Sequence, residues 1–65
     1  MEAKLITVDD AAAIFQARGL TDITGDWVND AIDRGLLPCT VVKRRRRVRE
    51  DRVTALIDRW LEEAG

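Results

Sequence analysis

Sixty-five residues, a net charge of −1, no histidine, no tyrosine and one cysteine leave room for a single small domain. A chain this short buries only about 60% of the surface its unfolded form exposes, so a deep catalytic cleft beside a core is not expected. A lone Cys39 excludes an intrachain disulfide. Without histidine there is no zinc-ligand cluster, and the scattered carboxylates assemble no acid–base pair or nucleophile, so neither enzyme nor cofactor is expected.

No apolar run reaches the length of a membrane span, and the N-terminus lacks the basic-then-apolar layout of a secretion signal. A soluble protein of the cytoplasm, without a membrane partner, is the expectation. Cys39 reads as a small, partly buried apolar residue in a reduced compartment.

Residues Lys4 to Ile6 read as a short extended lead-in. Thr7 is placed to cap a first helix, with Asp9 and Asp10 in the turn where the helix dipole favours negative charge. Thr7-x-x-Asp10 approximates a capping box. Val8, Ala11, Ala12 and Phe15 share one helix face, and Gly19 is the natural stop for a helix ending near Arg18. Leu20 to Ile23 form a connector whose two apolar residues dip into the core.

Thr24 caps a second helix, in which Val28, Ala31 and Ile32 make the buried stripe and Arg34-Gly35 close it. Two short helices joined by a compact connector are the material of a helix-turn-helix. Leu36, Leu37 and Pro38 then end helical structure. The β-branched Thr40-Val41-Val42 and the later Val48 predict a hairpin with arms Cys39–Val42 and Arg46–Arg49 and a tip near Lys43–Arg45. With no Asn or Gly at that tip, a longer loop or a bulge is expected rather than a tight two-residue turn. A third helix runs from Glu50 to the end, with Val53, Leu56, Ile57, Trp60 and Leu61 as its apolar stripe.

The overall charge conceals a segregation. Lys43, Arg44, Arg45, Arg46, Arg47, Arg49 and Arg52 lie within ten residues and account for seven of the eleven cations, while the acids lie mostly elsewhere. Five consecutive cations repel one another and call for an anionic partner, while the flanking valines argue against a disordered tail. Cations near a hairpin tip can straddle a phosphate backbone or enter a minor groove, and arginine suits both roles. The wing candidates for DNA contact are therefore Lys43, Arg44, Arg45, Arg46, Arg47 and Arg49. On the second helix the candidates are Thr24, Trp27 and Asn29, with the Gly25 amide open to a phosphate at the helix N-terminus. Trp27, beside the Val28 stripe, reads equally well as core.

In order, the chain offers Thr7-Val8-Asp9-Asp10-Ala11-Ala12, a capped helix from Thr24, Arg34-Gly35-Leu36-Leu37-Pro38, a basic hairpin and a helix ending in Trp60-Leu61. Over roughly Leu5 to Leu61 it resembles the MerR-like winged helix-turn-helix group of phage excisionases, or recombination directionality factors. The resemblance implies a mainly α, α+β fold of three helices with a two-stranded hairpin wing. It implies the second helix in a major groove of double-stranded DNA and the wing in the adjacent minor groove. It also implies an architectural role, in which the protein binds tandem sites beside a phage attachment site. Bending of the DNA there lets a phage integrase excise the prophage.

This chain departs from that pattern in a longer connector and in Asp26, Asp30 and Asp33 on the second helix, where relatives often carry basic or aromatic residues. The separation of these acids from the wing cations suggests copies loading head-to-tail along DNA. Two other readings share the sequence: a small transcriptional regulator of phage or plasmid genes with the same fold, and an interaction module whose basic hairpin docks an acidic protein.

Overall fold

A reciprocal pair of hydrogen bonds starts the first helix. In the computed structural model, which describes residues 4–64, the Asp10 amide donates to Thr7 Oγ1 at 3.0 Å and the Thr7 amide donates to Asp10 Oδ2 at 3.5 Å. Aspartate thus completes the capping box that glutamate usually completes. Helix α1 (Val8–Ala17) buries Ala11, Ala12 and Phe15 and ends at a left-handed Gly19 with φ 96°. In the connector, Ile23 is buried and Leu20 packs on the core, while the Gln16 side chain donates to the Ile23 carbonyl at 2.9 Å. That bond ties the connector to α1.

Helix α2 (Gly25–Asp33) is capped by Thr24, whose hydroxyl accepts from the Trp27 amide. It buries Val28 and Ala31 and turns out through Arg34 and Gly35. Helix α3 (Glu50–Ala64) buries Val53, Leu56 and Ile57. The three helices close over a core that includes Ile6, Leu37 and Val48 from the rest of the chain, and it contains no buried polar side chain among the described residues. Phe15 lies at its centre, fully buried, and burying such a ring stabilises the fold by about 1.5–3 kcal/mol.

The strands are β1 (Leu5–Thr7), β2 (Cys39–Val42) and β3 (Arg45–Arg49), in the antiparallel order β1-β3-β2. The expected two-stranded wing is therefore part of a three-stranded sheet. The extended lead-in pairs with β3, Leu5 opposite Arg49, Ile6 opposite Val48 and Thr7 opposite Arg47. A further bond from the Glu50 amide to the Lys4 carbonyl, at 2.9 Å, carries the pairing to the start of α3. Central β3 is thus held on both sides along its second half. The domain is a small, mostly helical α+β unit of winged-helix type.

Three local expectations are corrected. The hairpin tip is a tight two-residue turn, since Val42 pairs directly with Arg45. Lys43 and Arg44 take φ of 51° and 67°. Positive φ at both central residues is the pattern that matches strand twist, and here it is imposed on two side chains that ordinarily avoid it. Leu61 is 60% exposed and stands outside the buried α3 stripe, which is Val53, Leu56 and Ile57 with Trp60 packed against the core. Cys39 is exposed, not partly buried, because β2 is an edge strand whose residues all face solvent.

Candidate nucleic-acid interface

Strand alternation sorts the wing cations onto two faces. Val48 is fully buried against the helices, so Arg46, two residues back, shares the helix-side face, while Arg45, Arg47 and Arg49 occupy the outer face. Across the ladder, Thr40 and Val42 stand beside Arg47 and Arg45 on that outer face, and Leu5 stands beside Arg49. Lys43 and Arg44 project from the turn at the far end.

These cations are not equally free. Arg49 holds Asp51 through two bonds, from Nε at 3.1 Å and from Nη2 at 2.7 Å. That guanidinium keeps the Asp51 pKa below the ordinary aspartate value. Arg46 reaches back to α2, donating from Nη2 to Asp33 Oδ1 at 2.8 Å and from Nη1 to the Asn29 carbonyl and Oδ1 at 3.4 Å each. Lys43, Arg44, Arg45 and Arg47 make no ion pair among the described residues. They are the wing cations available to an external anion.

On α2 the candidate residues separate. Thr24 is exposed at the helix start, although its hydroxyl is occupied as the cap. Gly25 lies so close to α1 that a β-carbon there would sit 3.0 Å from Asp9 Oδ1. A phosphate approaching its amide would meet that carboxylate, which disfavours the site the sequence suggested. Trp27 resolves to the core side. Its ring centroid lies 5.6 Å from Phe15 and 5.7 Å from Trp60, in edge-on geometry, and Phe15 and Trp60 are 5.8 Å apart. A three-ring cluster of this spacing is a packing unit, and Trp27 lies partly buried against the core. Asn29 faces the wing and accepts from Arg46.

The acidic face of α2 looks different once its partners are counted. Asp30 is bridged to Arg34 at 2.8 Å and Asp33 to Arg46 at 2.8 Å, which leaves Asp26 without an ion pair among the described residues. Two of the three carboxylates are neutralised locally, so the repulsion of α2 by phosphates is smaller than the sequence implied. The pairing of Asp33 with Arg46 joins residues thirteen apart on different elements, and no local sequence signal marks it.

Among the described residues there is no group of His, Cys, Asp and Glu suited to a metal ion, and no helix long and apolar enough to cross a membrane. Fold and surface together define a small winged-helix-type domain with a cationic wing and a partly neutralised second helix. Comparison with family models, with curated proteins and with solved structures finds no match to this chain.

Proposed function

We propose that the protein binds double-stranded DNA with its wing, with α2 alongside, and serves as an architectural factor of the excisionase kind in the bacterial cytoplasm. The observation that carries the reading is the hairpin tip. Lys43 and Arg44 are held in left-handed backbone where Asn-Gly would fit at less cost, and four unpaired cations cluster at and beside the turn. A narrow, cation-tipped ribbon suits a minor groove, above all an A·T-rich one. The resemblance in the order of caps, turns and wing supplies the biological role. Bending DNA at tandem sites would favour excision by a phage integrase, which does the bond-breaking chemistry.

Contact between neighbouring copies belongs to the same reading, but α2 is a poor surface for it because Asp30 and Asp33 are already paired. The exposed end of α3, where Leu61 stands beside Glu62 and only Glu63 is engaged, by Arg59, complements the outer sheet face carrying Leu5, Val42, Arg45 and Arg47. Selection of bound duplexes from a random pool, followed by circular-permutation bending assays on the winners, tests the proposal. Enrichment of a repeated motif that the protein bends supports it. Enrichment of a single site bound without bending favours the regulator reading, and absence of any duplex binding at low salt refutes DNA binding itself.

A further inference from the structure

Arg46 sits in the middle of the basic run, yet its guanidinium points at the protein. We propose that Arg46 is a positioning residue: a strut that Asp33 and Asn29 hold against α2, fixing the angle between wing and helix, while its neighbours meet the anion. The inference rests on the DNA-binding reading and assigns roles within it.

Sheet register shows why a strut is needed. Strand β1 supports β3 only from Arg47 to Arg49. Beyond Arg47 the wing is a two-stranded ribbon of β2 and β3, ending in a turn with two residues at positive φ. A two-stranded ribbon is marginal alone and twists more freely than a wider sheet. Its opposite strand offers no anchor on that side, since Val41, the cross-strand partner of Arg46, is 64% exposed. The three Arg46 bonds are the side-chain hydrogen bonds that join this outboard segment to the body among the described residues.

The acceptors suit the fork. Asn29 and Asp33 are four apart on α2 and therefore stack on one helix face. A planar guanidinium spans both, one nitrogen to the Asn29 oxygens and the other to the Asp33 carboxylate. A lysine ammonium is a point charge and cannot bridge them in the same way. The arrangement also accounts for Asp33 on a helix that faces DNA: its carboxylate serves the wing and not the groove.

Two measurements test the strut, one without DNA. In the free protein, backbone heteronuclear NOE values at Lys43, Arg44 and Arg45 should fall in Asp33→Asn and Arg46→Gln relative to wild type. Unchanged values in both variants would overturn the proposal whatever the DNA result. With a short A·T-rich duplex as probe, each variant should bind about two- to fivefold more weakly, the range carried by a partly exposed ion pair with added hydrogen bonds. The double variant should be no weaker than the weaker single. The dependence of log affinity on log salt should keep its slope in Arg46→Gln, whereas Arg47→Gln should lower the slope by about 0.9, one phosphate contact. An equal drop for Arg46→Gln, or tighter binding by Asp33→Asn, would make Arg46 a phosphate ligand and end the proposal. Should wild-type protein fail to bind the duplex at all, the DNA-binding reading falls, and the NOE comparison still decides whether the tie orders the wing.

Discussion

Replacing Lys43 and Arg44 with Asn and Gly should make the protein more stable and a worse DNA binder at once. The two residues sit at φ 51° and 67° between paired Val42 and Arg45. Left-handed backbone costs a residue with a β-carbon roughly 1–2 kcal/mol, and Asn and Gly tolerate it best. Allowing for partial relaxation of a tip at the end of a ribbon, Lys43→Asn/Arg44→Gly should gain about 1–2 kcal/mol. That is a large share of the roughly 3–10 kcal/mol available to a domain of this length. At about 4–8 °C per kcal/mol, Tm should rise by several degrees in a circular-dichroism melt. The same change removes two of the four unpaired wing cations, so the slope of log affinity against log salt should become shallower by about 1.8. An unchanged or lower Tm would refute the strain argument. A more stable variant with undiminished, equally salt-dependent binding would show that the tip lies outside the interface.

The aromatic cluster and the Arg49–Asp51 pair give two further predictions. Because Trp27 and Trp60 flank the same buried Phe15, Trp27→Ala and Trp60→Ala should each destabilise by roughly 3 kcal/mol or more, and the losses should be non-additive. A negligible loss for Trp27→Ala in thermal melts would return that ring to the surface. Arg49 lowers the Asp51 pKa in the fold, so the pair's contribution is present above the unfolded-state aspartate pKa and is lost as pH falls through the lower, folded value. Acid titration of the Asp51 carboxyl by NMR should place it below the ordinary range, and Arg49→Gln should return it there. An identical Asp51 titration in that variant would contradict the assignment.

Helix starts and stops were legible in the sequence because they are local. Thr7, Thr24, Gly19 and Gly35 act within a turn of where they stand, and the α1 and α2 stripes follow from periodicity over one helix each. What escaped depends on partners distant in the chain. Leu5-Ile6-Thr7 is too short to show alternation, and its pairing with β3 is set by the long stretch of fold between them. The tight turn was hidden because turn chemistry argues against Lys-Arg at positive φ, and the register of the valine arms overrode it. For the candidate interface, composition located the cationic wing but did not sort its residues. Alternation along β3 puts Arg46 on one side and Arg45 and Arg47 on the other, and only the packing of α2 shows that Arg46 is engaged. Trp27 was ambiguous for the same reason: its neighbours Phe15 and Trp60 come from two other helices.

The claim that the wing is a nucleic-acid-binding surface is tested most directly by titrating wild-type protein with a short A·T-rich duplex across a range of salt concentrations. Lys43, Arg44, Arg45 and Arg47 at about 0.9 each set the expected slope of log affinity against log salt near −3.6, or about −2.7 if one of them stays in solvent. A steep negative slope in that range, made shallower by removing any of the four, is the predicted result. Affinity that ignores salt, or no affinity for duplex DNA even at low ionic strength, would contradict the account.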